Sequence, residues 1–230
     1  MFEQYKYKIE LHSHSSGISL CSDISALDMI RYYRESGYQG LVITNHFYPW
    51  MPKNNKKYKK YQEDYIDEYY TLRDFGERSG IMVYLGMEIR FEENDNDYLL
   101  YGIDEDFVRA VPRECQCLED FIPFVREYPD VLLIQAHPFR NGMVIKDSSL
   151  LDGIEVYNLH PNHNSRVGLA AKYAEMEEFE VCTCGTDFHH LGQHGLTALL
   201  TKELPEDEKE LVKCMKEEQI YKIGKSTVVF

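Results

Sequence analysis

Eight short runs rich in β-forming apolar residues punctuate the chain, at 7–11, 40–44, 81–87, 98–102, 131–136, 153–158, 180–185 and 195–200. Stretches with helical apolar spacing lie between many of them, over 25–36, 58–78, 118–127, 165–178 and 205–218. Ser25 is placed to cap the first of these and Gly37 to stop it, while Pro205 stands at a first-turn position of the last. Such a β-α-β-α order predicts a mainly parallel sheet, open or closed into a barrel. The 230 residues suffice for one large domain with a substantial core, and no internal repeat or low-complexity linker divides them.

Five of these runs deliver metal-competent side chains at their ends. "YKIEL" leads into His12-Ser13-His14, "GLVIT" into Asn45-His46, "IMVYLGM" into Glu88, "VLLIQA" into His137-Pro138, and "EVCTCGT" into Asp187-Phe188-His189. Positions i and i+2 of a strand share a face about 6.5 Å apart, so His12 and His14 can lean toward one ion. A lone H-x-H is weak evidence, since two such histidines are more often ordinary surface or half-buried residues. Repetition at five ends changes the odds. In a parallel α/β barrel or sheet, the carboxyl ends of the strands face one mouth, and residues far apart in sequence converge there. Four or five histidines with two or three carboxylates exceed one tetrahedral zinc, and carboxylates can bridge ions. A cluster of two or three metals follows, for which hydrolysis of a phosphate ester is the natural chemistry.

Composition narrows the classes further. The formal charge is −14, from 25 Lys plus Arg against 39 Asp plus Glu, which argues against extended nucleic-acid binding unless bound metal reverses the sign locally. There is no run of 18 apolar residues and no apolar signal core, so neither membrane insertion nor secretion is expected, and a cytoplasmic protein is. The six cysteines show no C-x-x-C spacing; Cys182 and Cys184 are expected to point one way from a strand and pack as small hydrophobes. The charge run 53–70, basic then acidic, reads as a solvated helix face.

Taken in order, "ELHSHS", "VITNHF", "GMEIRF", "QAHPFR" and "GTDFHH" resemble the motifs of the polymerase and histidinol phosphatase (PHP) superfamily of metal-dependent phosphoesterases, over residues 8 to about 195. The resemblance implies a distorted (β/α)7 TIM-like barrel formed by residues 1–230 as a single domain, with a helix and strand in 205–230 completing it. At its mouth it implies two or three divalent ions, Mn, Fe or Zn. His12, His14, Glu88 and Asp187 would hold one, Glu88 would bridge to a second held also by His137, and His46 and His189 would hold the third. Many members carry Asp where this chain has Asn45, leaving an amide hydrogen-bonding role there. Many carry a histidine where this chain has Asp97, which is either a ligand of the second ion or a turn aspartate in an Asn/Asp-rich hairpin. The loop 15–24 lacks the usual Ser-Asp-Gly ligand context. Cys21 or Asp23 can substitute there; a packed thiol and a helix-leading aspartate are the alternatives.

Arg140 follows His137 closely enough to aim a guanidinium at a phosphate, with Arg166, His160 and His163 as weaker candidates; His190 or His194 can protonate a leaving group. The expected protein is a phosphoesterase acting on a small phosphorylated substrate. A metal-dependent amide hydrolase on a similar barrel and a non-catalytic metal-binding regulatory domain are the alternatives; no strand run ends in the lysine that bridges many amidohydrolase metal pairs. Specificity is expected in loops 15–24, 47–57, 138–150 and 158–166.

Overall fold

The computed structural model describes residues 2–230, which form two mixed six-stranded sheets and six α-helices. In spatial order the first sheet is β12 (Ser226–Val229), β11 (Ile220–Ile223), β10 (Thr197–Thr201), β1 (Tyr7–Glu10), β2 (Gly40–Ile43) and β4 (Met82–Leu85). The second is β3 (His46–Phe47), β5 (Met87–Arg90), β6 (Asp97–Tyr101), β7 (Leu132–Gln135), β8 (Gly153–Asn158) and β9 (Val181–Gly185). The helices are α1 (Ala26–Glu35), α2 (Asn55–Ser79), α3 (Glu105–Ala110), α4 (Leu118–Val125), α5 (Val167–Glu177) and α6 (Glu208–Glu217).

Every apolar run is a strand, but the sheets are not mainly parallel. The pairs β1/β2, β2/β4, β3/β5, β7/β8 and β8/β9 are parallel, whereas β6 is antiparallel to both neighbours and β10 is antiparallel to β1. Only residues 91–96 join β5 to β6, too short a link for a parallel crossover. Two strands rather than one close the chain: β11 and β12 form a hairpin turning at Gly224, whose φ is 57°. Ser25 caps α1 as expected, accepting from Asp28 N. The last helix starts later than Pro205 suggests, because Asp207 is its cap and accepts from Glu210 N. Its acid side chain satisfies an amide that the proline ring cannot reach.

The two sheets meet in two places. At one, β2 continues into β3 and β4 into β5, with Gly86 N donating to Ile43 O at 3.0 Å and Glu88 N to Asn45 O at 3.0 Å. The Tyr65 hydroxyl of α2 sits 2.9 Å from the carbonyls of both Asn45 and Gly86, bracing these breaks. At the other, Ser13 and Phe188 form a parallel bridge, with His14 N donating to Phe188 O at 3.0 Å and Phe188 N to His12 O at 3.2 Å.

Strand alternation sorts the core. Leu41 and Ile43 join Met29, Tyr33 and Leu72 of α1 and α2 in one cluster, while the intervening Val42 joins Ile9, Leu11, Tyr84, Leu99 and Ile134 in another, contributed by strands of both sheets. The charge run preceding and opening α2 is indeed a solvated face, with Tyr58, Tyr65 and Leu72 turned inward. All six cysteines are free. Cys182 and Cys184 are buried as expected but enter different clusters, Cys182 with Ile154 and Ala170 beneath α5 and Cys184 with Leu11 and Ile134; the β8/β9 ladder shifts register between Glu155 and Tyr157 beside them.

Candidate metal centre

Ser13 is turned away from the mouth, its hydroxyl donating to Val42 O at 2.8 Å and its amide to Thr44 Oγ1 at 3.0 Å, which leaves His12 and His14 on the opposite side. Both are fully buried. Between them and the other strand ends lies Glu88. Its Oε1 is 3.3 Å from His12 Nε2 and 3.2 Å from His137 Nε2, and its Oε2 is 3.4 Å from His14 Nε2 and 2.8 Å from His46 Nδ1. Asp187 Oδ1 faces His12 and His14 from the other side, at 3.4 and 3.3 Å. His189 turns Nδ1 toward the Asp187 backbone carbonyl at 2.9 Å.

Asp97 belongs to the same group. It opens β6, and because that strand runs against its neighbours, its first residue lies at the mouth where the others end. Buried, it takes a two-pronged contact from Arg90 at 2.7 Å on each oxygen and lies 3.7 Å from His137 Nε2. Three sets of ligand atoms each fall within 4.8 Å of one another: His12, His14 and Asp187; His14, His46 and His189; His46, Glu88 and Asp97.

This donor set fits metal ions. His12 Nε2, His14 Nε2, His46 Nδ1 and Glu88 Oε2 are all buried, and none makes an aligned hydrogen bond despite the short contacts. Buried polar atoms are normally satisfied, so four orphans facing one centre mark a missing partner. Imidazole and carboxylate suit Zn, Mn or Fe. Burial alone would push the Glu88 carboxyl up, but the charges of His12 and His46 around it hold it well below the usual carboxylate range.

A supporting layer that the sequence reading did not single out fixes these ligands. Glu155, buried on β8, accepts from His12 Nδ1 at 2.8 Å, from His137 N at 3.0 Å and from Asn158 Nδ2 at 2.9 Å. Glu10 takes amide donors from His12 and Thr186 and the Tyr33 hydroxyl; burial, opposed by these bonds, brings its carboxyl up to about 7. Asn45 Oδ1 accepts from Ser15 N and Ser19 Oγ, both at 2.8 Å, the amide role expected of it. Asp187 is not the simple strand-end repeat of His12: it is left-handed, with φ 55°, and His137 has φ 29°, so two ligand positions carry backbone strain of the kind that collects at functional sites. Orienting partners of metal-binding histidines are typically worth about 10–100-fold in metal affinity. Glu155→Ala should therefore weaken ion binding by that order while circular dichroism stays native, as a chelator-competition titration would show.

A cleft of about 450 Å³ opens over the donors, lined by Arg90, Arg140, Asn141, His160, His163 and His190 among others. Arg140 Nη2 reaches Asp187 Oδ2 at 2.6 Å and Asn158 Oδ1 at 3.0 Å. Arg90 was not among the expected residues; its signal was the "EIR" spacing, which sets it two positions beyond Glu88 on one strand. His160 is buried, its ring 5.2 Å from that of His189, and burial brings it down to about 4. His190 pairs with Asp23 at 3.2 Å on the rim, which places Asp23 away from the donors. Cys21 instead lines the cleft beside His46 and His189; burial pushes its thiol up, but hydrogen bonds with both imidazoles outweigh this and bring it to about 6. Two candidates lie elsewhere. His194 stacks on Tyr32 at 5.1 Å, and Arg166 is spent on Phe139 O and Asn141.

No family model and no curated protein matches the chain. Solved structures do. A two-domain protein from Bacteroides vulgatus containing a predicted PHP-like metal-dependent phosphoesterase aligns over 98% of this chain and 67% of its own, with TM-score 0.67 and 14% identity. A protein from Bifidobacterium adolescentis, provisionally described as a metal-dependent phosphoesterase, aligns over 89% and 94%, with TM-score 0.53 and 13% identity. An amidohydrolase from Chromobacterium violaceum with bound sulfate and no metal aligns over 80% and 88%, with TM-score 0.56 and 14% identity.

Proposed function

We propose that this chain, which shares the fold of predicted PHP-like metal-dependent phosphoesterases, is a metal-dependent phosphoesterase of small phosphate monoesters. The observation that carries the reading is the set of orphaned imidazole and carboxylate atoms around Glu88, in one cleft with the guanidinium groups of Arg90 and Arg140. The strand order β1, β2/β3, β4/β5, β6, β7, β8 and β9, with the single Ser13–Phe188 bridge between the two sheets, supports reading the fold as a distorted (β/α)7 barrel. His12, His14, Asp187, Glu88, His137, Asp97, His46 and His189 would hold two or three ions, Mn, Fe or Zn. Such ions supply Lewis acidity toward phosphoryl oxygens and acidify water.

The chain's own residues do the rest. Arg90 and Arg140 neutralise a phosphate dianion in the cleft, and planar guanidinium groups match its paired oxygens. Arg140, tied to Asp187 and Asn158, holds the phosphate in register with the donors. Glu155 and Glu10 keep His12 in its orientation. His190, on the rim beside the Asp23 carboxylate, is placed to give a proton to the departing alkoxide. His160, which burial brings down to about 4, has no proton to give at neutral pH.

The test is phosphate release from a panel of nucleotides, sugar phosphates and alkyl phosphates by protein with measured metal content. His12→Ala and Asp187→Ala should each abolish metal-dependent release; wild-type turnover in either, with its ions counted, overturns the reading. A second reading, amide hydrolysis, is favoured by the likeness to the amidohydrolase. Among the cleft-lining residues there is no lysine to bridge two metals, and the two arginines suit a phosphate better than a neutral amide.

A further inference from the structure

A second cleft, of about 630 Å³, lies against the first and shares Cys21 and His46 with it. Its character is opposite. Ile18, Leu20, Tyr48, Met51, Pro52 and Tyr61 form most of its walls, and its carboxylate, Asp64, is tied to Lys60 at 2.6 Å. These residues come mainly from loops 15–24 and 47–57, which rise on either side of His46. Leu20 is 92% and Met51 59% exposed, and they rim one contiguous apolar wall, the kind of patch that marks ligand-binding grooves. Tyr48 stacks on His46 at 5.4 Å between ring centres, so the apolar wall begins where the donor cluster ends. Any molecule seated there abuts the reacting centre.

We infer that this cleft receives the alcohol part of the substrate, and that the preferred substrates are phosphate monoesters of hydrophobic alcohols of about six carbons or more. The inference rests on the phosphoesterase reading. The division of labour follows from the linings: the charged cleft has the guanidinium groups for the phosphoryl group, while the second cleft has a mainly apolar wall, with Tyr61 Oη already bonded to His46 O and Asp64 to Lys60, and so offers more to a hydrocarbon than to a sugar. In the reaction the bond from phosphorus to the alcohol oxygen breaks and water oxygen takes its place on phosphorus. A proton passes to the alcohol, which leaves through the apolar side.

The test compares ethyl and hexyl phosphate, whose leaving groups are of equal acidity, on the metal-loaded protein, and measures binding of ethyl- and hexylphosphonate by calorimetry. The expected result is a kcat/KM at least tenfold higher for hexyl phosphate, with a matching gain for hexylphosphonate. In Leu20→Glu and Met51→Glu the ratio between the two substrates should collapse toward one, a readout internal to each variant that a general loss of activity does not move. Equal kcat/KM and equal phosphonate affinity in the wild-type protein overturn the inference while leaving the phosphoesterase reading intact. No turnover of either ester, with hexylphosphonate still bound at least tenfold more tightly, supports the apolar subsite and overturns the reaction instead.

Discussion

Glu88→Gln should leave a folded protein that no longer keeps its ions and no longer releases phosphate. The carboxylate is the shared neighbour of four histidines, two on each oxygen, and its side chain is almost wholly buried. The amide has nearly the same shape but one oxygen and no charge. Half of the contacts then meet an NH2 group that cannot bind a cation, and the remaining imidazoles must share ions without the anion that joins them. Metal catalysis is worth several kcal/mol of transition-state stabilisation, so turnover should fall by about 1000-fold or more. Wild-type protein should melt higher on adding Mn or Zn, by the linkage that makes a ligand at about 100 times its Kd stabilise the fold by roughly 2.7 kcal/mol; the variant should not. Elemental analysis and thermal melts with and without metal check both halves. Full metal content together with wild-type turnover would remove Glu88 from the centre.

Gly185→Ala should damage the same site from beneath. A methyl group at this position would lie 2.2 Å from Glu155 Oε1 and 2.5 Å from His12 Cβ, closer than real contacts allow. The backbone cannot retreat easily, since Gly185 is paired with Asn158 across β8/β9 and its carbonyl accepts from Leu159 N at 3.0 Å. The bond between Glu155 and His12 must therefore open. Overpacking of this kind costs about 1–3 kcal/mol, and losing the orienting carboxylate costs about 10–100-fold in ion affinity. Gly168, exposed in the first turn of α5 with nothing within 4 Å of its added methyl, is the control: Ala there should change stability by no more than about 0.5 kcal/mol and leave ion binding unchanged. Denaturant unfolding and metal titration of the two alanine variants separate the effects. Equal stability and equal affinity in both would show that the methyl at 185 is accommodated.

What was legible in the sequence was whatever depends on period and position along a strand. Alternating apolar runs marked all eight expected strands, and the residues just past five of them proved to be neighbours although His12 and Asp187 are 175 positions apart. What was not legible depends on which way a residue inside a strand faces. Glu10 and Glu155 sit within "YKIEL" and "GIEVYN", where a single acid among apolar residues reads as a solvent-facing position; both are buried, and both carry the ligand His12. The reversed direction of β6 could have been read from the six residues between Arg90 and Asp97, and with it the placing of Asp97 at the mouth. Left-handed backbone at His137 and Asp187 was not legible, because Asp and His, though more tolerant of it than most residues, adopt it only occasionally, and here the packed strand ends impose it.

The bridge between Ser13 and Phe188 has a consequence for the order in which this protein is made. On one side of that single pairing stand His12 and His14, supplied by the first strand; on the other stand Asp187 and His189, supplied near the end of the chain. During synthesis at about 5–20 residues per second, the early histidines wait at least several seconds for their partners. A chain stopped short of residue 187 still has His12, His14, His46, Glu88, Asp97 and His137 but lacks the two donors that face His12 and His14 across the pairing, so it should hold ions less tightly than the longer chain. Ions held across this pairing would act as a clasp between segments 175 positions apart, binding what the ribosome makes early to what it makes later.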